Sequence, residues 1–246
     1  MNLRSFRKAA LAVAAAAAAS TALVLAGCMT VNHLDRYDFE GSRLAVDFRT
    51  PPEPQLRINY DITLDSHNAV LSALSVMTNL AKANQAAQVR ENMRAALAEV
   101  DVPQIVRSQT FSACASSLGA AQVDSRRDSD YVLVIRIDEW GIEARNAFTP
   151  VSLRMKLLAT LYPASAGRSS STEDLAWRRE VTVDQPADPD MFGGSSLIGN
   201  MVTATVLSNM TEEDLVRGFR ELGSLTARRV AMILERDLDE ARFGGN

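Results

Sequence analysis

Tyr131-Val-Leu-Val-Ile-Arg-Ile137 is the most strand-like run in the chain, and its reading organises the rest. It is apolar on both faces at first and then alternates, as a central strand partly covered on its second side does. Asn146 to Pro150 makes a turn. Val151, Leu153, Met155, Leu157, Ala159 and Leu161 then alternate with Ser152, Arg154, Lys156, Leu158, Thr160 and Tyr162. A period of two is the mark of a half-buried strand. A serine-rich loop from Gly167 to Thr172 leads to Leu175, Trp177, Val181 and Val183, a further strand. Three strands in succession with short connections predict an antiparallel meander.

Upstream, Leu44, Val46 and Phe48 face one way while Ala45, Asp47 and Arg49 face the other. After a corner at Pro51, Pro52 and Pro54, alternation resumes from Leu56 through Ile58, Tyr60, Ile62 and Leu64. A helix follows, capped by Asp65 or Ser66, with Val70, Leu71, Leu74, Met77, Leu80 and Ala81 at helical spacing. It continues or restarts through Val89, Met93, Ala96, Leu97 and Val100. Asp101-Val-Pro-Gln104 resembles a capping box with Pro in the first turn. From there Ile105, Val106, Phe111, Cys114 and Leu118 support a helix closed by Gly119, with a strand over 105–111 as the alternative. Downstream, a Pro/Asp/Gly-rich break at 185–194 leads into an uncharged stretch, 191–210, with a short helix at its centre. Thr211-Glu-Glu-Asp214 opens a last helix of about 30 residues, striped by Leu215, Phe219, Leu222, Thr226, Val230 and Ile233. Gly218 and Gly223 weaken it by about 1 kcal/mol each relative to Ala, which calls for close packing or a bend. The order of elements describes an α+β domain: an antiparallel sheet of about five strands with long helices packed on one face.

The N-terminus carries different information. Arg4, Arg7 and Lys8 precede an uncharged run from Leu11 to Ala26 that includes six consecutive alanines, Ala14 to Ala19, the build of a secretory signal. At about 16 residues the run is short for a membrane span. It ends in Leu25-Ala26-Gly27-Cys28, which resembles the bacterial lipobox of envelope lipoproteins processed by signal peptidase II. That resemblance implies diacylglyceryl attachment to the Cys28 sulfur, cleavage between Gly27 and Cys28, and acylation (palmitate) of the new amino terminus. Acyl chains at roughly 0.8 kcal/mol per buried CH₂ make the anchor permanent. Met29 stands where inner-membrane lipoproteins tend to carry Asp, which points to the periplasm-facing inner leaflet of an outer membrane. The chain accordingly divides into a signal peptide (1–27), an acylated Cys and tether (28–42), and one periplasmic domain (43–246).

The 246 residues carry 26 Lys+Arg against 30 Asp+Glu. Three of those basic residues and none of the acidic ones lie in the first 27, so the remaining 219 residues carry a formal charge of −7. A chain of that length buries roughly 70% of its unfolded surface. An acidic chain argues against a nucleic-acid partner held by phosphate neutralisation. With Cys28 acylated, Cys114 is the one thiol left, so no intramolecular disulfide is expected.

Chemical motifs are sparse. His33 falls in the expected tether and His67 in a helix's first turn, neither at metal-ligand spacing. Gly193-Gly-Ser-Ser196 lacks the flanking glycines of a nucleophile elbow. Asp138 and Glu139, at the expected end of the central strand, are candidates for an acid–base pair, with solvated strand-end residues as the plain reading. Cys114, at near-helical spacing with Val106, Phe111 and Leu118, reads as a buried inert thiol, with a redox or intermolecular role as the alternative. The polar register of the sheet offers Arg57, Asp61, Arg136, Arg154, Lys156, Arg178 and Glu180, a face that is either solvated or suited to an anionic headgroup or partner. The uncharged segments 66–81 and 191–210 either line an apolar cavity or are covered by the rest of the fold. These observations lead to the expectation of a non-enzymatic binding or assembly accessory with no cofactor and no metal. It would be held to the membrane by its acyl chains and engage an envelope protein. The alternatives are a lipid- or small-ligand-binding module using 66–81 and 191–210, and an envelope hydrolase.

Overall fold

A computed structural model describes residues 30–58, 87–144, 151–166, 174–186 and 210–243. In chain order the elements are β1 (Val31–Asn32), β2 (Arg43–Phe48), β3 (Gln55–Ile58), α1 (87–99), α2 (Val102–Leu118), β4 (Ala121–Gln122), β5 (Tyr131–Ala144), β6 (Ser152–Pro163), β7 (Trp177–Pro186) and α3 (Glu212–Phe243). The strands form one sheet in the order β1-β7-β6-β5-β2-β4, with β3 also on β5.

The meander expected over 131–186 is present: β5 pairs antiparallel with β6, and β6 with β7. The rest of the sheet departs from expectation in number and direction. There are seven strands among the described residues instead of about five, and β2 and β3 run parallel to β5. They follow one another along one edge of it, Leu44–Phe48 beside Tyr131–Ile135 and Gln55–Ile58 beside Gly141–Ala144. Parallel neighbours need a crossover, and the chain between β3 and β5, which includes α1 and α2, supplies one. The proline corner between β2 and β3 keeps the two collinear instead of turning them into a hairpin. Trp140 Nε1 donates to the Pro52 carbonyl at 2.8 Å and fastens this corner to β5.

β5 also outruns its expected end at Ile137. A bulge between Ile137 and Glu139 shifts the register, and the strand continues to Ala144. Gly141, at φ +138°, lets β3 approach, since a Cβ there would lie 2.0 Å from the Gln55 carbonyl oxygen.

The inner face of the sheet and the helices enclose the main core. Leu133, Ile135 and Ile142 of β5 and Leu153, Met155 and Leu157 of β6 pack with Val102, Val106 and Cys114 of α2 and Leu215, Phe219 and Leu222 of α3. Phe219 meets Trp140 edge-on, with ring centroids 5.8 Å apart. Residues 105–111 are helical, as the first of the two readings has it. Asp101 caps α2 by accepting from the Gln104 amide at 2.9 Å, and Gly119 closes it in the left-handed conformation. Thr211 caps α3 through the Asp214 amide. Close packing explains the two glycines: a Cβ on Gly218 would meet Leu153 at 2.5 Å, and one on Gly223 would meet Ile105 at 3.0 Å.

The stretch expected as a tether, 28–42, is described from residue 30 onward. From Val31 onward the segment belongs to the fold: β1 pairs with β7, the His33 amide donates to Ala176 at 2.8 Å, and Leu34 and Phe39 are buried. Phe39 stacks obliquely on Tyr131 at 4.6 Å. Its anchors at 31, 34 and 39 are single apolar residues without a period, so polarity alone disguises them. Gly27, Cys28, the strand positions beyond Ile58, the helix over 66–81 and all of 191–210 except Met210 lie outside the described residues.

Candidate functional site

The outer face of the sheet, away from the helices, carries the polar register picked out in the sequence. It has two regions of different chemistry. The first is a lattice of ion pairs around the β5 bulge. The bulge places Asp138 and Glu139 side by side on this face. Arg136 holds Asp138 at 2.7 Å, while Glu139 receives Arg57 at 3.0 Å and Arg154 at 3.6 Å. Arg154 also holds Glu143 at 2.6 Å, and Lys156 holds Glu180 at 3.0 Å. The hydrogen bond that Arg154 donates to Glu143 raises the Arg154 pKa, and the one that Lys156 donates to Glu180 raises that of Lys156. Asp138 and Glu139 therefore lie within a strand and are engaged by arginines, not displayed at a strand end. The lattice also takes up the basic character expected of Arg57, Arg154 and Lys156, while Arg136, paired with Asp138, also borders the second region.

The second region is concave, with a volume of about 290 Å³, and lies nearer β1. Arg49, Arg136 and Arg178 rim it, and Val134, Leu158 and Leu175 form its apolar surfaces, with Thr160 and Tyr162 completing the wall. Arg126 lies 5.3 Å over the Tyr162 ring and donates to its hydroxyl at 3.1 Å, which fixes that ring. Beneath the wall a small second core joins Val31, Val132, Tyr162 and Leu175. Alternation alone gives this part of the face as polar. The signal that could have revealed it is the pair Leu158 and Tyr162, two large apolar-bodied residues in an otherwise polar register. Alternation over 44–49 places Arg49 opposite the apolar face, whereas Arg126 comes from a connector that no local pattern marks.

Other residues singled out in the sequence stand apart. His33 lies with Nδ1 3.2 Å from the Leu175 carbonyl oxygen, a contact at the β1–β7 edge. Cys114 is buried in the main core, and that burial pushes its thiol up to about 12. Asp61, His67 and Gly193–Ser196 lie outside the described residues. A buried acid went unnoticed in the sequence. Asp237 of α3 is fully enclosed, accepts from Trp177 Nε1 at 2.8 Å and pairs with Arg179 and Arg236. Among the described residues no group of His, Cys, Asp and Glu could hold a metal ion, and no helix is long and apolar enough to cross a membrane.

No family model matches the chain, and no curated protein matches it. Among solved structures, the PelC dodecamer from Paraburkholderia phytofirmans is similar at 10% identity, covering 85% of this chain and 94% of that one, with a TM-score of 0.38. Protein XCC0632 from Xanthomonas campestris, of the family DUF330, is similar at 18% identity over 55% of this chain and 65% of that one, TM-score 0.26. At these identities and scores the likenesses define neither a family nor a function for this chain.

Proposed function

We propose that the chain is a bacterial envelope lipoprotein, acylated on Cys28 and facing the periplasm from the inner leaflet of the outer membrane. It acts there as a non-enzymatic binding or assembly accessory with an envelope protein as partner. The observation that carries this reading is the closeness of the lipobox to the packed fold. Val31, three residues after Cys28, is already buried and paired with β7. Three residues span at most about 10 Å. A lipid on Cys28 therefore holds the β1–β7 edge against the membrane surface instead of letting the domain roam on a leash.

A binding role in place of catalysis is supported by the ion-pair lattice. The adjacent carboxylates that best fit acid–base work, Asp138 and Glu139, are spent on Arg136, Arg57 and Arg154. The ligand-binding alternative rests on 66–81 and 191–210, of which Met210 alone is among the described residues.

Fractionation tests the proposal. The wild-type protein is expected in the outer-membrane fraction, extractable by detergent and not by salt. Cys28→Ala is expected to remain unprocessed or to enter the soluble periplasmic fraction. Unchanged membrane retention and mass in Cys28→Ala would contradict the lipoprotein assignment.

A further inference from the structure

We propose that the arginine-rimmed cleft on the outer sheet face takes the phosphate of an anionic phospholipid headgroup from the membrane that holds the protein. The inference rests on the anchoring of Cys28 proposed above. Three observations carry it. The cleft has Arg49, Arg136 and Arg178 on its rim and no carboxylate among its lining residues, in a domain that is acidic overall. Guanidinium forks match phosphate oxygens two at a time, which an ammonium cannot do. The walls below the rim are apolar, from Leu158, Leu175 and the Tyr162 ring, which suits the glycerol and upper acyl carbons behind a headgroup.

Position is the third observation. Val31 is the register partner of Arg178 and packs with Tyr162 and Leu175, so the cleft borders the residue that follows the anchor by three positions. A membrane holding the acyl chains of Cys28 lies within about 10 Å of that edge. On the rim, Asp47 lies 3.9 Å from Arg49 and Asp138 lies 2.7 Å from Arg136. These pairs are more than half exposed on the arginine side, and such pairs contribute little, so a phosphate can take their place.

The test uses the acylated protein purified in a neutral detergent and titrated with dihexanoyl-phosphatidylglycerol, dihexanoyl-phosphatidylcholine and inorganic phosphate. Saturable binding of the phosphatidylglycerol, weakened by salt and at least tenfold tighter than either other probe, is the expected result. Affinity should fall about fivefold for each arginine removed in Arg49→Gln, Arg136→Gln and Arg178→Gln, in keeping with the contribution of one basic residue near an anionic surface. Arg178→Lys keeps the charge and loses the fork, and should weaken binding while leaving the fold intact. Equal binding of inorganic phosphate would make this a small-anion site and overturn the lipid assignment. Equal binding of both lipids, or unchanged affinity in folded variants, would overturn the site. Intact mass on the same sample separates the two proposals: an acylated protein without phosphatidylglycerol selectivity removes only this one, and a protein without acyl chains removes the anchor.

Discussion

The carboxylate of Asp237, two turns from the end of the last helix, accepts a hydrogen bond from the indole of Trp177 at the start of β7, at 2.8 Å. Arg179, two residues along β7, reaches the same oxygen, and Asn32 of β1 donates to the Asp237 carbonyl at 2.9 Å. One acidic residue thus joins the long helix to the edge of the sheet that follows Cys28. A buried ion pair that loses one partner leaves an uncompensated charge, at a cost of about 3–5 kcal/mol. Asp237→Ala is therefore expected to lower unfolding free energy by about 3 kcal/mol in urea titrations, and Arg179→Ala by less, because the Asp237 carboxylate keeps Trp177 and Arg236 as partners.

The same group makes stability depend on pH. Burial alone would raise the Asp237 pKa, but hydrogen bonds from Arg179, Trp177 and Arg236 outweigh it and hold the carboxyl below its ordinary range. The folded state therefore binds this proton less readily than the unfolded chain. Its stabilisation is complete above the unfolded carboxylate value of about 4 and is lost as pH falls through the lower folded value. Urea midpoints of the wild type and Asp237→Asn should differ at pH 7 and converge toward pH 2–3.

Gly141 tests the parallel pairing of β3. Its φ of +138° and the 2.0 Å approach of the Gln55 carbonyl to a built Cβ leave no room for a side chain, and the obstacle is backbone. Gly141→Ala should cost about 3 kcal/mol, strain and overpacking together. Amide exchange should accelerate along residues 55–58 while β6 and β7 stay protected.

Cys114 should be inert. Its thiol is buried and its pKa is pushed up to about 12, so almost no thiolate exists at pH 8. Maleimide should fail to label the native protein and should label one thiol per chain once the protein is unfolded. If Cys28 carried no thioether, the unfolded protein would yield two.

Much of this fold is legible in the sequence. The meander, both caps and the long final helix follow from periods of two and 3.6 and from single capping residues such as Asp101 and Thr211. The parallel pairing of β2 and β3 is not legible, because alternation records which face is buried and not which neighbour is paired. The packing of residues 31–42 is hidden for a different reason: Val31, Leu34 and Phe39 are isolated anchors that a tertiary surface selects. The candidate site is half visible. Alternation places Arg136, Arg154 and Lys156 on one face. Which arginines are consumed by Asp138, Glu139 and Glu143 depends on a bulge that no local pattern marks. Asp237 looks like any acid near the end of an amphipathic helix until Trp177 and Arg179 close over it.

Intact mass and amino-terminal analysis of the protein isolated from native cell envelopes test acylation at Cys28 most directly. A chain that begins at Cys28 and carries the added mass of a diacylglyceryl group and an amide-linked acyl chain is the predicted result. A chain that retains residues 1–27, or one that begins elsewhere with an unmodified Cys28 thiol, would contradict it.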